Sequence, residues 1–472
     1  MRKLFFGVLF TLNLVFLSPV AHAVMPDGGN LNVFWTLPFV GLLLSIAIGP
    51  LFAPAVWNHH FGKISVFWTL MFFVPFSLIN DINAAWHHVV HALVEEYIPF
   101  IVLLTALFTT SGGICLQGNL SGSAKLNVGL LLLGTVLSSM MGTTGAAMLL
   151  IRPLIYANNN RKHNVHVFVF FIFLVANAGG LLTPLGDPPL FLGFLQGIDF
   201  FWTTIHLWKE MLIACAYLLV IFFIIDVYYW RKPGESHIKG HDFMLDLVSV
   251  RLDGKRNFFL LAAVVGLVLM SGFWHSCIVF NLFGTLIQLQ NLVRDVGLIV
   301  ITLISLFITP KTARRGNNFD WEPMKEVARL FAGIFLTIIP VAQILREGEA
   351  GALGWMIRLL TDSSGLPNNA MYFWATGLLS SFLDNTPTYL VFFNTIGGDV
   401  DALMTVSAVT LKAISAGAVL MGANTYIGNA PNFMIKVIAE QHGIKMPSFF
   451  GYMLWSGGVL LPLFAMMTIF FF

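Results

Sequence analysis

Apolar runs of about 18 residues or more recur along the chain, each long enough to cross a bilayer as one helix. They occupy 33–57, 64–84, 97–120, 164–200, 209–230, 256–276, 292–310, 328–345, 402–438 and 447–472. Two further runs, 126–157 and 370–397, are interrupted in the middle, by Gly142-Thr143-Thr144-Gly145 and by Asp384-Asn385-Thr386-Pro387. Two of the full spans also break, at Pro184 to Pro189 ("PLGDPP") and at Ile427 to Pro431 ("IGNAP"). Only 10% of residues are charged, against about 25% in an ordinary soluble domain. The expected fold is an all-α polytopic membrane protein.

The start has a basic end, a short apolar core and a small-residue ending at Ala21-His22-Ala23. This predicts a secretory signal peptide over 1–23, with an uncleaved first helix as the alternative. Either reading starts residue 24 outside the cytoplasm and implies a bacterial inner (cytoplasmic) membrane. With the interrupted runs taken as re-entrant hairpins, the basic loops 57–63, 158–163, 231–256, 311–315 and 440–445 all fall on the cytoplasmic side. Asp81, Glu95, Glu96, Glu347, Glu349, Asp399 and Asp401 fall opposite, as the positive-inside rule requires. Two crossings per interrupted run preserve the same parity, so charge leaves hairpins and full spans both open. The basic residues form no patch, so nucleic acid is not an expected partner; the lipid bilayer is. Cys115, Cys215 and Cys277 lack ligand-like spacing and read as small buried residues.

One gapless register relates the two halves. "LSSMMGTTGAAMLLIRPLI" from Leu137 aligns with "LSSFLDNTPTYLVFFNTIG" from Leu379 (379 − 137 = 242). "LGDPPLFL" from Leu185 aligns with "IGNAPNFM" from Ile427, and "EMLIACAYLL" from Glu210 with "YMLWSGGVLL" from Tyr452, at the same offset. Each half then has five crossings and one hairpin, and an odd count turns the second half over. The reading is a first inverted repeat over 24–229, a cytoplasmic connector over 230–256 and a second inverted repeat over 257–472, with two re-entrant hairpins and two broken transmembrane helices.

Irregular backbone at membrane depth is tolerated only where it faces protein or a wet cavity. Gly142, Gly145, Gly186, Gly428, Pro188, Pro387 and Pro431 weaken or forbid regular helix at the breaks. Packing and kinks account for any one break; a symmetric set points to two pseudo-symmetric ion sites, one per half. Asp384 and Asp187 are the acids at the breaks, and a buried acid needs a proton, a cation or a partner. The expected ion- and proton-binding residues are Asp384, Asn385, Thr386, Asp187, Gly186, Thr143, Thr144, Gly428 and Asn429. Lys412, inside an apolar run, is the expected charge partner of an acid, with a structural ion pair as the bland alternative. Arg152 is expected to snorkel toward the cytoplasm. His87, His91 and Glu95 share a helical face that suits a metal, but in a predicted periplasmic loop a solvated or interface helix fits better. No nucleotide motif or Ser/His/Asp arrangement occurs, so neither an enzyme nor a resident cofactor is expected.

At "LDNTPT" (Leu383 to Thr388), "GDPP" (Gly186 to Pro189) and "GNAPN" (Gly428 to Asn432), the chain resembles the ion transporter superfamily. That group includes NhaD-type sodium/proton antiporters, citrate transporters, arsenite exporters and divalent-anion/sodium symporters. The resemblance covers nearly the whole chain after residue 23. It implies a homodimer in which a scaffold domain flanks a transport domain holding both hairpins, both broken helices and the helix after each. The symporter tips resemble Ser-Asn-Thr. Here the first tip is Gly142-Thr143-Thr144, and the tip bearing Asp384 more closely resembles the antiporter and arsenite-exporter branches. The leading expectation is an inner-membrane Na⁺/H⁺ antiporter (or one carrying Li⁺), with Na⁺ at Asp384, Asn385 and Thr386 and with Asp187 serving the partner site. The alternative is a cation-coupled transporter of citrate or a related carboxylate, gripped by Thr143, Thr144, Asn385 and Thr386. A remote alternative, from the two buried acids, is an intramembrane aspartyl protease.

Overall fold

The computed structural model describes residues 31–79, 82–117, 122–232, 251–397 and 400–472. The expected signal peptide, Asp81, Asp399 and most of the connector lie outside the described residues. Among those described, eight helices are long and apolar enough to cross a membrane; the pair Glu322–Thr337 and Ile339–Arg346, bent by 42°, makes nine if it counts as one span. The chain is nearly all helical, with two small two-stranded sheets: Cys115–Gln117 with Arg251–Asp253, and the hairpin Val279–Leu282 with Thr285–Gln288. It divides into two units.

The first unit comprises Met1–Leu104, Gly266–Val300 and Glu322–Gly354. Its interior is aromatic. Phe100 stacks on Phe331 at 4.8 Å, and Trp35 meets Phe76 edge-on at 5.6 Å. Two boundaries differ from expectation. Residues 57–63, read as a loop, lie in the helix Pro54–Ile79. The turn falls at Ala53, because Pro54 begins a helix readily and nothing after it stops one. The segment with His87, His91 and Glu95, read as a periplasmic loop, belongs to a continuous helical run Ala85–Ser111. No metal-binding group of three or more His, Cys, Asp or Glu occurs among the described residues. His91 instead pairs with Glu95 at 3.1 Å, and His87 bonds the Gly284 carbonyl at 3.2 Å.

The second unit comprises Thr105–Val265, Ile301–Trp321 and Trp355–Phe472. Ten of its helices matter here: α1 (Ala124–Met141), α2 (Thr143–Asn158), α3 (Val165–Leu174), α4 (Pro188–Leu195), α5 (Trp202–Trp230), α6 (Asn369–Phe382), α7 (Asn385–Thr395), α8 (Ala408–Met421), α9 (Ala430–Gln441) and α10 (Phe449–Phe471). Helices α2 and α7 start 385 − 143 = 242 apart, and α4 and α9 start 430 − 188 = 242 apart. Side-chain bonds recur at the same offset. Ser139 Oγ donates to the Gly179 carbonyl and Thr183 Oγ1 to the Ser139 carbonyl. In the second half Ser381 Oγ donates to the Met421 carbonyl and Thr425 Oγ1 to the Ser381 carbonyl. Each set ties a hairpin arm to the neighbouring broken helix, supplying partners to carbonyls that the break leaves free. A Cβ on Gly186 would strike the Gly180 carbonyl, and one on Gly428 would lie 2.5 Å from the Gly422 carbonyl. Glycine is required at both places because two backbones meet there.

Candidate functional site

Each break ends by starting a helix, so four helix N-termini are created. Their N-cap residues are Gly142 (α2), Asp187 (α4), Asp384 (α7) and Asn429 (α9). At the hairpin tips the second repeat carries the acid; at the broken helices the first repeat does. Asp384 behaves as an ordinary cap: its Oδ1 accepts from the Thr386 backbone N–H at 3.1 Å. Asp187 makes no such cap bond to its own helix. Its carboxylate, in a residue 1% exposed, is instead held by the other three N-termini. Oδ2 accepts from Asn385 Nδ2 at 2.7 Å; Oδ1 lies 3.3 Å from Thr143 Oγ1 and 3.5 Å from Asn429 Nδ2. The Gly186 carbonyl accepts from the Thr143 N–H at 2.9 Å, which fixes the first tip against the first broken helix.

Every donor to Asp187 is neutral. The partial positive charge at each helix start favours a carboxylate, an effect confined to the first turn. The site can therefore hold Asp187 without a cationic side chain, and a proton or a metal ion has no fixed cation to displace. Lys412, the expected partner of an acid, is taken by Glu210 of α5 at 2.5 Å.

A family model described as "Putative citrate transport" matches residues 28–472. The chain belongs to this citrate transport family. It is thus a multi-pass membrane protein of a transporter family. The search of curated proteins gives no match.

For a member of this family, the structure brings together Thr143, Gly186, Asp187, Asn385 and Asn429 by direct hydrogen bonds. Thr386 Oγ1 is buried beside the half-buried Asp384, whose carboxylate also accepts from the Thr386 backbone N–H. Gly428 serves as a close-packing residue. Thr144 is half-buried, and its hydroxyl bonds no described residue. Asn385 turns its amide nitrogen to Asp187, and its oxygen lies 2.7 Å from Ser380 Oγ.

Arg152, expected to reach toward the cytoplasm, is buried on α2. Cys277 is exposed, unlike Cys115 and Cys215, because it lies in the segment between helix Arg256–Phe273 and the small β-hairpin.

The sequence reading gave no role to four further residues. Asn177 and Asn432 join the broken helices, with Asn177 Nδ2 donating to Asn432 Oδ1 at 2.8 Å. Glu210 and Asp226 are fully buried acids on α5. Their signal was an acid inside an apolar run, the same that singled out Asp384. Asp226 is saturated, accepting from Arg161 at 2.5 Å, His166 at 2.8 Å and Asn127 at 3.1 Å.

Proposed function

We propose that the protein is a secondary transporter that exchanges protons for Na⁺, with Asp187 and Asp384 taking proton and cation in competition. The observation that carries this is Asp187: a carboxylate where four helix N-termini meet, held only by neutral donors. A carboxylate in that setting can be neutralised by H⁺ or by Na⁺, and either occupant lowers the cost of carrying the site through a low-dielectric barrier. An empty, charged site resists that passage. The rule couples the two fluxes, since each crossing needs one occupant or the other.

A second reading, cation-coupled transport of citrate or a related carboxylate, is supported by the family description and by the same N-termini, which favour anions. On that reading Na⁺ at the two acids cancels charge that would otherwise repel the substrate. The test is the purified protein in liposomes containing a pH-reporting dye, challenged in turn with Na⁺, Li⁺, K⁺ and citrate. Proton movement driven by Na⁺ or Li⁺ alone is the expected result. Proton or Na⁺ movement that requires citrate selects the second reading and overturns the first.

A further inference from the structure

Arg152 is a buried cation without a bonding partner. It lies on α2 and is 8% exposed. Among the described residues its guanidinium makes no hydrogen bond, ion pair or ring contact. The ionisable groups that act on it are Cys115 and Tyr156, a thiol and a phenol, types that are neutral near neutral pH. A guanidinium carries five donors and no acceptor, so burying it unpaired is costly. Arg314 shows another solution. Its Nε and Nη1 are enclosed without hydrogen-bond partners, but the group lies over the Phe319 ring at 4.6 Å.

The repeat gives no packing reason for a cation at this place. The equivalent residue of the second half is Asn394 (152 + 242 = 394), buried on α7 and donating to the Leu390 carbonyl at 2.8 Å. A neutral amide that bonds its own helix therefore fills the same position. Along α2, Arg152 stands about 14 Å from Thr143 at the tip and about 9 Å from the helix end at Asn158. It is thus separate from the four N-termini at the breaks. No Arg152 nitrogen is among the fully enclosed atoms that lack partners, so part of its small exposure lies at the guanidinium itself. One turn further, Tyr156 is 56% exposed, and its ring meets that of His442 edge-on at 6.5 Å. The expected topology puts that end of α2 in the cytoplasm.

We propose that Arg152 anchors a binding site for a small carboxylate, entered past Tyr156 from the cytoplasmic end of α2. The planar fork of a guanidinium matches two carboxylate oxygens with two parallel N–H bonds. The anion supplies the charge and the acceptors that the protein withholds, and the neighbouring thiol and phenol add no repelling charge. Phosphate offers the same oxygen chemistry, free or on a lipid headgroup, and the test separates these sources. The site holds whichever ion Asp187 and Asp384 carry.

The test is equilibrium binding of radioactive citrate to the full chain in detergent, with succinate, inorganic phosphate and chloride as competitors, and again in nanodiscs with and without phosphatidylglycerol. Arg152→Gln should weaken citrate binding by about tenfold or more, the scale of a lost charge-assisted hydrogen bond. Succinate should compete better than phosphate or chloride. Thermal unfolding without citrate supplies a second readout. An arginine that serves a ligand leaves the midpoint unchanged or raised when it is replaced by Gln, whereas one that holds the fold together lowers it. Should Arg152→Gln fail to fold, Arg152→Lys reads the same site, because a single ammonium cannot make the paired bonds and citrate affinity should still fall. Wild-type citrate affinity in a folded variant overturns the proposal. So does a wild-type protein that binds none of these carboxylates, or one whose Arg152 responds only to phosphatidylglycerol. Citrate binding that depends on Arg152, without Na⁺-driven proton movement in liposomes, sinks the exchange reading and leaves this one standing; proton movement without carboxylate binding does the reverse.

Discussion

Asp187 and Asp384 occupy equivalent kinds of position, the N-cap of a half-helix, yet they are held differently. Asp384 caps its own helix and is half-buried, while Asp187 reaches the three other N-termini and is buried. Asp187→Asn keeps the size of the side chain but removes the exchangeable charge. It should fold, insert and lose Na⁺-driven proton movement; retained exchange at the wild-type rate in liposomes would leave Asp384 to act alone. Glycine positions separate packing from conformational freedom. Gly428→Ala places a Cβ 2.5 Å from the Gly422 carbonyl and 2.8 Å from that of Ser380. It should cost about 1–3 kcal/mol through forced backbone shifts. Gly129, inside α1, has nothing within 4 Å of its would-be Cβ, so Gly129→Ala should be neutral or stabilising by about 0.5–1 kcal/mol. Unfolding midpoints in detergent check both, and equal effects would contradict the packing account. At this scale the sequence revealed which residues stand at the breaks, because Asp, Gly and Pro are conspicuous in apolar runs. It did not reveal that Asp187 bonds residues of the second half, since that depends on how two separated breaks approach each other. Asn177 stayed hidden because it lies outside the four breaks, and Asn432, although inside "GNAPN", was given no role because its contact with Asn177 joins residues far apart in the sequence.

Elements show where the repeat departs from symmetry. The first hairpin turns at Gly142 with φ 80° and ψ 151°, the second at Asp384 with φ −56° and ψ 145°. The first tip therefore needs glycine, whereas the second admits the acid. Gly142→Ala should cost about 1–3 kcal/mol, a loss that the same unfolding measurement reads. Glu210 on α5 and Lys412 on α8 tie one repeat to the other, and neither Glu210 carboxylate oxygen has another hydrogen-bond partner among the described residues. Removing only the lysine strands a buried charge. Lys412→Ala should destabilise the fold by about 3–5 kcal/mol, and Glu210→Gln with Lys412→Met should recover most of that loss. No recovery in the double variant would show that Lys412 matters through its packing rather than its charge. The shared 242-residue offset was legible from three aligned segments. The helix ends near Ala53 and through Ala85–Ser111 were not, because charged and His residues signal a membrane surface without signalling that a helix stops.

For the whole molecule, the expected topology puts Asn159 and Gly443 in the cytoplasm and Asp401 outside. Single Cys substitutions at these exposed positions should react with an impermeant reagent from those sides; Asp401 and Asn159 reacting from the same side would contradict the inverted arrangement. The central claim is that proton and Na⁺ compete for the two carboxylates at the breaks. The most direct measurement is proton release into weakly buffered detergent when Na⁺ is added to the purified protein. The account predicts release from wild type, less from Asp187→Asn or Asp384→Asn alone, and none from the double variant. Undiminished release from the double variant, or none from a wild-type protein shown to bind Na⁺, would contradict it.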